Sequence, residues 1–269
     1  QGMKPINVVV TGASGKMGQE VIKAVCREPG MRVVGAVEQT AEDFLSLPDG
    51  SGKVPFSSDL DYILTSCHPD VLVDFTLAPA TRATVPVAAK MGVNMVIGTT
   101  GLTGSDMDEM TRLANKHKIG IIVAANFALG AVMMMHLAKI ASKYFDYAEI
   151  IELHHNQKVD FPSGTALTTA RLMAKAKGKP FSLPDSEQGQ PPSGRGKQVE
   201  VITIHSVRLP GLVANQEVTF GMAGQTLSIR HETINRECFM PGVMLAVREV
   251  VKRPGLTNGL ETLLNLQEA

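Results

Sequence analysis

The run Val8–Gly18, VVVTGASGKMG, constrains this chain more than any other stretch. A β-branched apolar segment enters Gly12, and Gly12-x-x-Gly15-x-x-Gly18 opens Lys16–Arg27, whose apolar residues recur at helical spacing. Small residues serve three needs in such a strand–turn–helix: a tight turn, close approach of backbone to a pyrophosphate, and close helix–sheet packing. The helix start adds free N–H groups and the positive end of the macrodipole, both suited to phosphate. A glycine pattern alone is weak, because any loop can be rich in Gly. Here Glu38 ends the next strand at about the 20-residue distance where an acid takes the adenosine ribose hydroxyls. Gly12, Ala13, Ser14, Gly15, Lys16, Met17 and Glu38 are therefore the expected cradle of a nicotinamide dinucleotide, against the plainer reading of a turn with no ligand. Glu38 favours an unphosphorylated ribose and Lys16 could pair with a 2′-phosphate, so both NADH and NADPH stay open.

The remainder of the first half repeats the alternation. Ile6–Val10, Arg32–Val37, Val71–Phe75, Val93–Ile97 and Gly120–Ala124 read as strands; Lys16–Arg27, Ala80–Met91 and Asp106–His117 read as helices. Short apolar strands separated by helices predict an α/β fold, a doubly wound parallel sheet covered on both faces. Ligands of such sheets sit outside the carboxyl ends of the strands. That places Thr76, Gly98-Thr99-Thr100 and Ala124-Ala125-Asn126-Phe127 with the cofactor cradle. The second half is richer in strands: Ala148–Leu153, Val199–Val207, Gln216–Phe220 and Thr226–His231, with one long helix, Thr165–Lys177. It predicts a second α+β domain with a mixed sheet. Pro184–Gly196 reads as an exposed loop, and the tail, Gly242–Arg253 then Leu260–Leu266, as helix. The expected division is residues 1–127 and 128–238, followed by the helical tail 239–269.

Composition narrows the partners. Lys plus Arg and Asp plus Glu both number 26, so no global field draws nucleic acid or an anionic membrane. An acidic ligand must be met by local charge. Cys26, Cys67 and Cys238 fit no metal or disulfide spacing and suit a reducing compartment. No apolar run approaches the roughly 20 residues that span a bilayer. Gln1-Gly2 ahead of Met3 reads as a remnant of expression, and the first strand begins at Ile6, so no leader is expected and the cytoplasm is. The cluster Met133-Met134-Met135 reads as flexible core filler on a helix.

The segment from His154 to Thr165, HHNQKVDFPSGT, gathers two histidines, a lysine and a helix start. Ser163 is a natural N-cap, and free N–H groups at Ser163, Gly164 and Thr165 would make an anion site suited to a carboxylate. Gly164 lets a ligand approach the backbone, and Lys158 adds a full positive charge. Adjacent His154 and His155 would point to opposite faces of a continuing strand, so both serve one site only if the strand ends there. No third ligand at usual spacing supports a metal. A histidine can exchange a proton near neutral pH, which a reduction needs beside its hydride. Taken singly, each residue more often belongs to an ordinary helix cap beside a solvated loop; together they are less easily read that way.

The run His154-His155-x-x-Lys158 with Asp160-x-Pro162-Ser163-Gly164-Thr165, the Gly12-x-x-Gly15-x-Met17-Gly18 turn, the Gly98-Thr99-Thr100-Gly101 loop, Ile204–Leu212 and Met240-Pro241-Gly242 together resemble the 4-hydroxy-tetrahydrodipicolinate reductase family over nearly the whole chain. Phe161 and Asn215 depart from the Ala and His usual there, and bear on substrate packing. The resemblance implies reduction of a small dicarboxylate in the diaminopimelate route to lysine, with hydride from NADH or NADPH. It implies His154 and Lys158 as proton carriers, and His155, Gly164 and Thr165 as the grip on the substrate, which the N-cap Ser163 completes. It also implies a homotetramer assembled through the second domain's sheet, and final helices, 239–269, that pack back on the first domain. Closure of the two lobes over bound cofactor is expected because the two halves of the site fall in different lobes. Two rivals are another two-domain reductase or semialdehyde dehydrogenase, the latter needing a cysteine nucleophile in these motifs, and a nonenzymatic dinucleotide sensor with no use for His-His-x-x-Lys.

Overall fold

The apolar runs of the first half become the strands of one sheet in the computed structural model, which describes residues 4–185 and 194–266. The expectations for Gln1–Met3 and for most of the Pro184–Gly196 loop lie outside those residues. The chain forms two compact units, one of Gln1–Leu129 with Arg236–Gln267 and one of Gly130–Asn235.

In the first unit, β1 (Ile6–Thr11), β2 (Met31–Val37), β4 (Lys53–Ser57), β5 (Val71–Asp74), β6 (Asn94–Ile97), β7 (Gly120–Val123) and β13 (Gly255–Asn258) are parallel, with β3 (Phe44–Ser46) antiparallel at one edge. Their order is β13-β7-β6-β5-β1-β2-β4-β3. The chain leaves β1 toward β2 and later returns to its other side with β5, so the strand order reverses there. Crevices outside the carboxyl ends at such a point bind ligands. Both faces are covered, which is why β5 and β7 are buried at every residue. Helices α2 (Leu60–Cys67), α3 (Ala78–Lys90) and α4 (Gly104–His117) bring Ile63, Leu64, Ala88 and Leu113 onto Val9, Leu72, Met95 and Ile121. Each large aliphatic buried this way contributes about 1.5–3 kcal/mol. Helix α1 (Lys16–Arg27) packs on β1 and β2, and α7 (Met240–Val250) on β5, β6 and β7.

In the second unit, β8 (Tyr147–His154), β9 (Lys197–Val199), β10 (Ile202–Arg208), β11 (Ala214–Met222) and β12 (Gln225–Thr233) form a mixed sheet of order β12-β11-β8-β10-β9. Helices α5 (Leu129–Ala141) and α6 (Gly164–Lys177) supply Met134, Ala138, Ala170 and Met173 to a core shared with Ile150, Ile202 and Phe220. The doubly wound sheet and the second mixed-sheet domain are as the periodicity predicts.

Three local readings need correction. Val199–Val207 is not one strand: Glu200 and Val201, at φ of 51° and 66°, turn the chain so that β9 pairs antiparallel with β10. A two-residue turn with both φ positive is usually marked by Asn-Gly, and Glu-Val carries no such mark. Leu260–Leu266 forms turns in place of a helix, and Gly255–Asn258 adds an eighth strand beside β7, a tertiary pairing without local signal. Of the three methionines, only Met134 is buried; Met133 is 39% exposed. Among the described residues no helix is long and apolar enough to cross a membrane.

Candidate active site

The turn after β1 is built on steric exclusion. Gly12 sits at φ 65°, where L side chains are strained, and a Cβ there would lie 2.8 Å from Thr76 Cγ2. A Cβ on Gly18 would lie 2.1 Å from the Gly12 carbonyl oxygen, so only glycine lets α1 start this close to the strand. Gly15 caps α1 without a side-chain hydrogen bond, and no acid stands in its first turn. The helix start is thus open to an anion. Glu38 lies against this turn: its Oε2 accepts from Ser14 N at 3.3 Å and its Oε1 from Gln39 N at 2.9 Å. Lys16 is exposed, and Met17 half-buried.

The neighbouring strand ends are tied by a network the sequence reading missed. Asp74, wholly buried at the end of β5, accepts from Thr76 N at 2.9 Å and from Thr81 Oγ1 at 2.8 Å. Thr81 Oγ1 lies 2.9 Å from Thr99 Oγ1 in the loop after β6. Thr99 is only 5% exposed, so its hydroxyl holds the loop while Thr100 faces solvent. Phe75 meets Phe127 edge-on at 5.4 Å, and a Cβ on Gly98 would lie 2.0 Å from the Phe75 ring. Ala13, Ala124 and Phe127 are buried; Ala125 is exposed, and Asn126 Oδ1 caps Ala128 N at 2.9 Å.

The His154–Thr165 segment lies wholly in the second unit. β8 ends at His154, so His155 falls beyond the strand and is exposed. That end of the strand relieves the opposite-face problem of adjacent histidines. Ala148, Ile150, Glu152 and His154 share one face of β8 by alternation. Glu152 is 0% exposed and gathers the segment. Its Oε2 takes His154 Nδ1 at 2.5 Å and Arg208 Nη1 at 2.8 Å; its Oε1 takes Arg208 Nη2 at 2.8 Å and Ser163 N at 3.2 Å. Burial by itself pushes the Glu152 carboxyl up, but hydrogen bonds from His154, Arg208 and Ser206 outweigh it and hold it at about 2. Parallel pairing of β10 with β8 sets Arg208 opposite His154. Arg208 also donates to the Lys158, Asp160 and Val207 carbonyls, at 3.3, 2.7 and 2.8 Å. All five of its N–H donors are therefore engaged.

Lys158 is not a lone charge: its Nζ meets both Asp160 oxygens, at 2.6 and 2.8 Å. That ammonium holds the Asp160 carboxyl below its usual range. Ser163 caps α6, its hydroxyl accepting from Ala166 N at 3.2 Å, and its side chain is 3% exposed. Of three N–H groups expected to be free, Ser163 N is taken by Glu152. Gly164 N and Thr165 N have no hydrogen-bond partner among the described residues, and Gly164 is exposed. Glu152 and Arg208 escaped the sequence reading. Glu152 had a signal, since a strand places it on the face of His154, whereas Arg208 is 54 positions away and only the sheet brings it there.

A glycine-built anion turn with an acid beside it, on a doubly wound sheet, and a second mixed-sheet domain define a nicotinamide-dinucleotide-dependent oxidoreductase of two domains. Residues 6–127 match the family description "Dihydrodipicolinate reductase, N-terminus" and residues 130–264 its "C-terminus". The 4-hydroxy-tetrahydrodipicolinate reductase of Dehalococcoides mccartyi is 53% identical over 98% of this chain and all of its own. That of Bacillus subtilis is 44% identical over 97% of this chain and 98% of its own. A dihydrodipicolinate reductase from Paenisporosarcina sp. TG-14, solved with dipicolinate bound, superposes with TM-score 0.84 at 38% identity, covering 96% of this chain and 99% of that one. The chain belongs to the 4-hydroxy-tetrahydrodipicolinate reductase family, whose members are NAD(P)-dependent oxidoreductases of the diaminopimelate route to lysine. An amine dehydrogenase from Mycobacterium smegmatis, at 15% identity and TM-score 0.63, shares the fold alone.

Proposed function

We propose that this chain reduces 4-hydroxy-tetrahydrodipicolinate to tetrahydrodipicolinate, with His154 and Lys158 handling the proton and the start of α6 holding a carboxylate. One observation carries the reading: a single loop of the second unit presents an imidazole, an ammonium and two free helix N–H groups together. Two carboxylates on the substrate explain why a chain of zero net charge concentrates them there. A bound reduced nicotinamide supplies the hydride, once the 4-hydroxyl has left as water. Gly164 N and Thr165 N orient a carboxylate, with Ser163 as the cap that fixes them and His155 beside them. The second proton acceptor or donor is Lys158, whose Nζ is held by both Asp160 oxygens. The dipicolinate bound by the Paenisporosarcina relative is a planar dicarboxylate and supports this class of ligand.

The cofactor cradle is Gly12 to Met17, Glu38, Thr76, Gly98 to Thr100 and Ala124 to Phe127. Glu38, held at Ser14 N, suits a free ribose 2′-hydroxyl, and exposed Lys16 offers charge to a 2′-phosphate, so the cradle fits either NADH or NADPH. KM for each cofactor, wild type against Lys16→Ala, separates them: an unchanged NADPH preference rules Lys16 out as its reader. The expected assembly is a homotetramer through the second unit's sheet, where Glu149, Ile151 and Leu153 lie on the face of β8 away from its buried cluster; light scattering reports the mass. The activity itself is read at 340 nm, with substrate made in situ from pyruvate and aspartate semialdehyde by the preceding enzyme. Lys158→Ala should lower kcat at least 100-fold, the scale of a lost acid–base group. Near-normal kcat removes Lys158 as a proton carrier, and no NADH or NADPH oxidation by the wild type favours a sensor.

A further inference from the structure

The segment just described hangs on a carboxylate that touches no solvent. We propose that Glu152 is the positioning residue of the site, fixing His154 as its Nδ1–H tautomer so that Nε2 alone faces the substrate. The proposal rests on the reading of His154 as a proton carrier.

Donors and acceptors decide the tautomer. An ionised carboxylate only accepts, so the 2.5 Å contact with Glu152 Oε2 requires the hydrogen on His154 Nδ1. The bidentate pair with half-buried Arg208 keeps the buried Glu152 ionised, because a protonated Glu152 would leave the facing guanidinium uncompensated. A neutral His154 then carries its lone pair on Nε2, and a charged one its transferable proton there. The nitrogen beside an ionised acid is the one that stays protonated.

Glu152 does this while setting the other half of the site. Its Oε1 draws Ser163 N inward, which fixes where α6 begins and leaves Gly164 N and Thr165 N as the first free donors. Its Arg208 partner spends its remaining donors on the Lys158, Asp160 and Val207 carbonyls. One bidentate ion pair, buried on its Glu152 side, thus registers the imidazole, the lysine loop and the helix start to a common point. A corollary is that Arg208, though a cation beside the site, has no donor left for a substrate carboxylate.

The test uses full-length protein labelled with 15N at histidine. The imidazole shifts of wild-type His154, assigned with His154→Gln, report the tautomer directly and need no variant of Glu152. The expected result is Nδ1–H; an Nε2–H tautomer overturns the proposal. Glu152→Gln should then mix the tautomers and lower kcat about 10- to 100-fold, as when the partner orienting a functional histidine is lost. KM for the cofactor, held by the first unit, should stay within twofold. Arg208→Lys provides the contrast, loosening the Lys158 loop while leaving the Nδ1–H shift in place. If Glu152→Gln keeps both kcat and the tautomer, Glu152 is only a structural anchor and the proposal fails with the activity intact. A wild type without reductase activity would instead defeat the functional reading, and the tautomer would still be decided by its shifts.

Discussion

Gly164 can be changed without disturbing the folded chain, and this makes it the cleanest probe of the carboxylate grip. A Cβ built at Gly164 meets no atom within 4 Å, and its φ lies outside the left-handed region. Alanine there lowers the entropy of the unfolded chain, worth about 0.4–1 kcal/mol to stability. At about 2–4 °C per kcal/mol for a chain of this size, Tm should hold or rise by up to about 4 °C. The new methyl tilts toward the helix N-terminus, beside the Gly164 and Thr165 N–H groups. A carboxylate seated on them loses most of a charge-assisted hydrogen bond, about 1.5–3 kcal/mol. Tenfold per 1.4 kcal/mol converts this to a KM for substrate about 10- to 100-fold higher. Because the grip is the same in ground and transition states, kcat should change little. Initial rates at 340 nm with saturating cofactor, alongside a thermal melt, read both quantities. A variant with unshifted Tm and KM within twofold of wild type would place the carboxylate elsewhere and refute the reasoning.

Two further outcomes follow from the geometry. Gly18→Ala puts a Cβ 2.1 Å from the Gly12 carbonyl oxygen; ordinary contact begins at 3.4 Å, so α1 must retreat by about 1.3 Å. Overpacking of this kind costs about 1–3 kcal/mol, and the cofactor KM should rise about tenfold while the substrate KM holds; an unchanged NADH titration would deny the turn its role. Glu152 is held at about 2 against an ordinary 4.5, a gap worth on the order of 3 kcal/mol at about 1.4 kcal/mol per pH unit. Its folded value is depressed, so that stability is present above about pH 4.5 and is lost as pH falls through about 2. Urea midpoints between pH 5 and 3 should fall less steeply for Glu152→Gln than for wild type; parallel slopes would contradict the assignment.

The class of fold and the places where chemistry gathers were legible from the residues alone. The Val8–Gly18 turn, the strand-end loops and the His154–Thr165 segment are local patterns, set by steric exclusion at glycine, helix capping and the alternation of apolar strands. Tertiary structure decided what those residues are bonded to. Asp74 reaches Thr99 through Thr81, and Arg208 reaches Glu152 because β10 lies parallel to β8. Strand β13 and the Glu200-Val201 turn exist through pairing, with no local mark. The physical reason is the same in each case: periodicity and turn chemistry act over a few residues, whereas a buried charge must find its partner wherever the sheet brings one. In the His154–Thr165 segment the residues were legible, and the carboxylate that aligns them was settled by folding.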